Sequence, residues 1–186
     1  MIRNLPNILT ITRILFLPFF AASLIYGIYS YALILFIAAS VTDGLDGYIA
    51  RKHNLATKLG GILDPVADKF LILTSFIIMS MYGMIPKWLT IIVISRDLIV
   101  VTGCLIIYFV THDLKIEPTI LGKTAIALES VLIGLVLLSV NLSGQTFGQI
   151  WFLLTVAIVT AVSGVQYVYR GVTTANIERE HGTQIK

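Results

Sequence analysis

The chain has 186 residues, of which 57% are hydrophobic and 12% charged, against roughly 45–50% and about 25% in soluble domains. So short and apolar a chain, with a mean hydropathy of +0.92, has too few polar residues to cover a soluble surface, so lipid is the expected solvent for most of it. The net charge of +3, from 13 Lys+Arg against 10 Asp+Glu, suits cationic loops on an anionic leaflet and carries no nucleic-acid signal. A lone cysteine, Cys104, excludes an intramolecular disulfide.

At about 20 residues per crossing, apolar stretches broken by turn residues predict six spans, at about 8–28, 31–50, 61–82, 88–110, 119–140 and 148–170, in one membrane-embedded domain over 1–186. The breaks are Tyr26 to Ser30, the charged run Arg51-Lys52-His53-Asn54, Tyr82 to Lys87, Thr111 to Pro118, and Asn141 to Gln145. With the N-terminus in the cytoplasm, Arg3, Arg51, Lys52, Lys58, Lys115, Arg170, Arg179 and Lys186 fall on the inner side and Lys87 outside. The positive-inside rule therefore predicts an all-α integral membrane protein with both termini cytoplasmic. Arg3 before an apolar run, with Ala21-Ala22-Ser23 after it, resembles a signal peptide. Arg13 inside that run and a second span immediately beyond favour a retained helix.

Charge inside spans is costly and points to function, and this chain concentrates it. Asp43, Asp46, Asp64 and Asp68 are four of its ten acids and fall in one window. On helical spacing Asp43 and Asp46 are i,i+3 neighbours, and Asp64 and Asp68 are i,i+4 neighbours on the next helix. A loop of about ten residues lets these helices run antiparallel, so both carboxylate pairs would meet at the cytoplasmic end of a helix hairpin. Four carboxylates that close repel one another, and an all-oxygen set without cysteine favours Mg²⁺ or Mn²⁺ over Zn²⁺. His53 is expected to be solvated in the loop. Gly47, Ala50 and Gly60 remove side chains where a backbone could approach a nucleotide or diphosphate, besides serving close helix packing. Carboxylate-held metals beside Arg51 suit phosphoryl transfer.

The window reads Asp-x2-Asp-Gly-x2-Ala-Arg-x8-Gly-x3-Asp-x3-Asp, filled by Asp43, Asp46, Gly47, Ala50, Arg51, Gly60, Asp64 and Asp68. It resembles, without a departure, the signature of the CDP-alcohol phosphatidyltransferases. The resemblance implies that a CDP-linked lipid, usually CDP-diacylglycerol, gives its phosphatidyl group to an alcohol and releases CMP. It implies a two-metal site in which Asp43, Asp46 and Asp64 ligate one ion and Asp43, Asp64 and Asp68 the second. Asp68 would also take the proton of the acceptor hydroxyl. Gly47, Ala50 and Gly60 would line the cytidine pocket, with Arg51 near the diphosphate, and the chain would pair as a homodimer.

For the acceptor, the start Asn4-Leu5-Pro6-Asn7-Ile8-Leu9-Thr10-Ile11-Thr12-Arg13 resembles the glycerol-acceptor branch: phosphatidylglycerophosphate synthases and eukaryotic-type cardiolipin synthases. Ser95-Arg96-Asp97 and Pro118-Thr119-Ile120-Leu121-Gly122-Lys123 lean towards the second. There is no cation between Arg96 and Lys115, and glycerol 3-phosphate, with nearly two negative charges, asks for more cations than the single phosphodiester of phosphatidylglycerol. Glycerol 3-phosphate is nevertheless the first expectation, because small bacterial-looking members of the branch most often use it; phosphatidylglycerol is the alternative. Arg96 and Lys123, supported by Arg13, are the candidate acceptor cations, and pairing with Asp97 and Glu129 inside the bundle is their other reading.

A transporter would place its charges at midplane breaks, often duplicated in a second half, and this chain repeats nothing. Trp88, Trp151, Tyr82, Tyr167 and Tyr169 fall near span ends as aromatic belts do. The polar tail from Thr173 to Lys186 is expected to be a frayed cytoplasmic helix or disordered. The short chain, with no targeting extension, fits a bacterial inner membrane with its active site on the cytoplasmic side.

Overall fold

The computed structural model describes residues 5–53, 60–111 and 119–183, and side-chain surroundings for 12–42, 67–103 and 119–170. Among the described residues there are six helices and no strand: α1 (Leu5–Ile25), α2 (Tyr29–His53), α3 (Gly60–Met81), α4 (Lys87–Thr111), α5 (Ile120–Ser143) and α6 (Ile150–Thr183). Each covers one expected span. α2 runs three residues past its expected end, so His53 closes a helix instead of lying in the loop, and α6 continues into the polar tail to Thr183, helix being one of the two forms expected there. No proline occurs after Pro118, and a glycine such as Gly171 costs a helix interior only about 1 kcal/mol, so α6 can run on until Gly182 near its end.

Glycine ends three of the helices. Gly27, Gly83 and Gly144 adopt φ of 71°, 73° and 65°, a left-handed conformation that side chains resist. Behind Gly27 the Ile28 amide donates to Ser23 O at 2.8 Å and the Gly27 amide to Leu24 O at 3.2 Å. Behind Gly83 the Met84 amide donates to Met79 O at 2.8 Å and the Gly83 amide to Ser80 O at 3.2 Å. Both are Schellman caps, which satisfy the last carbonyls of α1 and α3 and turn the chain at once. Thr119 opens α5 as its N-cap, its Oγ1 accepting from the Gly122 amide at 3.0 Å.

The helices divide between two compact units, Met1–Pro86 with Ser130–Gly148, and Lys87–Glu129 with Gln149–Lys186. In the first, α1 packs against both α2 and α3. Ala32, Phe36 and Ala39 form the buried stripe of α2, and Leu71, Ile72, Phe76 and Met79 that of α3, spaced as one helical face requires. Phe20 of α1 meets Phe36 with ring centroids 6.1 Å apart. The Tyr82 hydroxyl donates to Ile25 O at 3.2 Å, so the glycine-capped ends of α3 and α1 lie side by side. In the second unit α4 packs against α6, with Leu89, Val93 and Arg96 buried on α4 and Val156, Thr160 and Ser163 on α6.

Polarity is distributed against the soluble pattern. Leu15, Phe19, Ile34, Ile91, Leu98, Leu142, Ile158 and Val165 are exposed, whereas Arg13, Arg96, Glu129, Thr160 and Ser163 are buried. Large apolar side chains outside and charges within are what an apolar solvent selects. Among the described residues, α5 at 24 residues and the 21-residue stretch Ile150–Arg170 of α6 are long and apolar enough to cross a bilayer. Thr12–Ile25 and Tyr29–Thr42 are shorter apolar stretches.

Candidate active site

The acidic window lies on helical backbone at the end of α2 and the start of α3. Asp43, Asp46, Gly47, Ala50 and Arg51 belong to α2; Gly60 is the first residue of α3, which also carries Asp64 and Asp68. The side chains of 43–66 lie outside the described residues, as do positions 54–59 between the helices. The expected convergence of the carboxylates and the expected nucleotide contacts of Gly47, Ala50, Arg51 and Gly60 therefore lie outside them too. Asp68 is described: it is partly buried, directly after buried Ala67. Apart from His53, the candidate ligands that the sequence places in the window are carboxylates, which suit a hard divalent cation.

Helix lengths place three of the charged residues at one level. α1 and α2 are joined by the tight turn Tyr26 to Ile28 and pack against each other, so they run antiparallel; α3 packs on α1 and ends beside it at the Tyr82–Ile25 contact. At 1.5 Å per residue, Arg13 lies about 18 Å, Asp43 about 21 Å and Asp68 about 20 Å from that shared end. Arg13 is only 2% exposed. Of the three cations expected at the acceptor, Arg13 thus belongs to the aspartate-bearing unit, while Arg96 and Lys123 belong to the other.

In that second unit the structure brings Arg96 to the start of α5, beside Lys123. Arg96 is 4% exposed. One terminal nitrogen donates to Asp97 Oδ1 at 2.7 Å. The other donates to Ser163 Oγ at 3.2 Å and to Gly122 O at 3.4 Å. The Arg96 Nε is buried and has no hydrogen-bond partner among the described residues. Lys123 is exposed. The bundle pairing that the sequence offered as the other role of Arg96 is therefore realised with Asp97. Glu129, 1% exposed, accepts from Thr160 Oγ1 at 3.0 Å.

Three residues around Arg96 had no signal in the sequence. Ser163, Gly164 and Tyr167 fall within about one turn of α6. Ser163 accepts from the guanidinium, and a Cβ on Gly164 would lie 3.3 Å from Arg96 Cγ, so glycine there admits the arginine stem. Tyr167, read from the sequence as a belt residue, is partly buried, and the Arg96 guanidinium carbon lies over its ring, 5.9 Å from the centroid. No spacing rule links α4 to α6, which is why these contacts appear only in three dimensions.

Comparison with known proteins agrees with the motif. The family model of the CDP-alcohol phosphatidyltransferases matches residues 3–164. The chain is 35% identical over 179 residues to a protein named probable phosphatidylglycerophosphate synthase from Mycobacterium tuberculosis (strain ATCC 25618 / H37Rv), covering 91% of this chain and 82% of that one. It is 36% identical over 135 residues to the CDP-diacylglycerol–glycerol-3-phosphate 3-phosphatidyltransferase of Bacillus subtilis (strain 168), covering 64% and 69%. The Homo sapiens cardiolipin synthase (CMP-forming) is 29% identical over 195 residues, covering 95% of this chain and 64% of its own. On the family match and the motif together, this chain belongs to the CDP-alcohol phosphatidyltransferase family.

Proposed function

We propose that this chain transfers the phosphatidyl group of CDP-diacylglycerol to glycerol 3-phosphate, releasing CMP, and so acts as a phosphatidylglycerophosphate synthase. The complete eight-residue motif on α2 and α3 carries the reaction class. The acceptor rests on the extent of similarity to the mycobacterial relative. The acceptor hydroxyl oxygen attacks the phosphatidyl phosphorus, the bond from that phosphorus to the CMP oxygen breaks, and the hydroxyl proton passes to Asp68. Asp43, Asp46, Asp64 and Asp68 would hold Mg²⁺ or Mn²⁺, which neutralises diphosphate charge when bound. Gly47, Ala50 and Gly60 would line the cytidine pocket, with Arg51 near the diphosphate. Arg13, level with Asp43 and Asp68, adds positive charge to this region, and Arg96 and Lys123 receive the acceptor phosphate.

The same reading makes the chain a single domain with six membrane-spanning helices and both termini in the cytoplasm, a homodimer in a bacterial inner membrane. The exposed apolar side chains and buried charges support the membrane setting of this reading.

One observation favours phosphatidylglycerol as acceptor, the cardiolipin-synthase reading. Asp97 lies 2.7 Å from Arg96 and offsets its charge, which suits a monoanionic phosphodiester better than a dianion. A parallel assay decides between them: purified protein, CDP-diacylglycerol and Mg²⁺ or Mn²⁺, offered glycerol 3-phosphate or phosphatidylglycerol. CMP release with glycerol 3-phosphate is expected, and product formed only from phosphatidylglycerol overturns the first choice. For topology, a cysteine at Asn54 in a Cys104→Ser background is expected to react with impermeant reagent only from the cytoplasmic side.

A further inference from the structure

Four residues from three helices close a circuit in the second unit. The Arg96 guanidinium lies over the Tyr167 ring, 5.9 Å from its centroid, and donates to Gly122 O at 3.4 Å. The Gly122 amide donates to Thr119 Oγ1 at 3.0 Å, and the Thr119 amide donates to the Tyr167 hydroxyl oxygen at 3.3 Å. The circuit is tight as well as closed: a Cβ on Gly122 would sit 3.1 Å from Tyr167 Cε2 and 3.2 Å from its hydroxyl. Tyr167 thus touches the cation with its ring and the cap of α5 with its hydroxyl. Movement of either end of the tyrosine displaces the other.

We propose that Tyr167 is a positioning residue for acceptor recognition, its ring fixing the plane of Arg96 and its hydroxyl fixing the start of α5 against that plane. This rests on the reading of Arg96 as an acceptor cation. Arg96 has four rotatable side-chain bonds, and Asp97 and Ser163 hold only the terminal nitrogens. The aromatic face restrains the guanidinium from a second direction, an attraction that strengthens where water is excluded. The Arg96 Nε, buried and without a hydrogen-bond partner among the described residues, then keeps one orientation. An aromatic belt residue would need neither contact.

The test compares Tyr167→Leu, Tyr167→Phe, Arg96→Gln and the Leu–Gln double variant, each assayed for CMP release at varied acceptor and varied CDP-diacylglycerol. Tyr167→Leu is expected to raise the acceptor KM about tenfold while leaving the KM for CDP-diacylglycerol and kcat unchanged. Tyr167→Phe, which keeps the ring, is expected to recover most of that loss, leaving about a threefold rise. Adding Tyr167→Leu to Arg96→Gln should raise the acceptor KM no further, because the tyrosine acts through the arginine. Additive effects, or equal changes in both KM values and kcat, overturn the proposal and leave Tyr167 a packing residue. An unchanged acceptor KM in Arg96→Gln overturns the reading beneath it instead. Should the leucine variant not accumulate in membranes, an unchanged acceptor KM in Tyr167→Phe overturns the hydroxyl's part.

Discussion

The two units carry their charge in opposite ways. In the first, the aspartates lie on two helices consecutive in the chain, α2 and α3, and their spacing along the chain is itself the message. In the second, Arg96 stands in the middle of α4 and is held by Asp97 beside it in the chain and by Gly122, Ser163 and Tyr167 from distant segments. A site that assembles its ligands from one connection writes itself as a motif. A site that suspends one cation among three helices does not. On the proposed reading the first kind would tolerate no change of residue type, because each carboxylate would supply charge directly. The second is adjustable, because the residues around the cation set its position without touching the chemistry.

The largest expected effect belongs to the motif. Asp68→Asn is expected to lower CMP release by about 10²–10⁴-fold, the range for loss of a general base, while CDP-diacylglycerol binding survives. Near-normal release would break the assignment of chemistry to the first unit. Chelation with EDTA is expected to abolish release, with restoration by Mg²⁺ or Mn²⁺; activity persisting through chelation would remove the metals from that picture.

Effects in the second unit should be smaller and confined to the acceptor. Arg96→Gln is expected to raise the acceptor KM roughly tenfold with little change in kcat, the pattern of lost uniform binding. A large fall in kcat instead would place Arg96 with the reacting atoms and blur the contrast. Gly122→Ala brings a Cβ within 3.1 Å of both Thr119 Oγ1 and Tyr167 Cε2, an overpacking worth about 1–3 kcal/mol. It should lower the melting temperature in detergent together with acceptor affinity.

The smallest effect is expected away from both regions. Gly83→Ala meets nothing within 4 Å, but its φ of +73° makes the cost purely conformational, about 1–2 kcal/mol. Melting should shift slightly with both KM values unchanged.

The helices were legible because turn residues interrupt the apolar runs: Tyr26-Gly27 and Tyr82-Gly83 announced turns that prove to be Schellman caps. The length of α6 was legible only as one of two alternatives, because the polar residues beyond Arg170 fit a helix as well as a disordered tail, and the structure has the helix to Thr183. Arg96 and Lys123 were recognisable as costly charges in apolar surroundings, but the partners of Arg96 beyond Asp97 were not. Tyr167 looked like any aromatic near a span end.

The sequence by itself determined the solvent, the number of helices and the reaction family. Composition, apolar run length and carboxylate spacing are properties of the chain that folding preserves. Tertiary structure alone decided that Arg13 stands level with Asp43 and Asp68, because that depends on antiparallel α1 and α2 sharing one capped end with α3. It also decided that Arg96 leans on Tyr167 while the tyrosine hydroxyl holds the start of α5. The contacts around Arg96 and Tyr167 join segments far apart in the chain, at the close approach that Gly122 and Gly164 permit, and no periodicity along one helix encodes a neighbour on another.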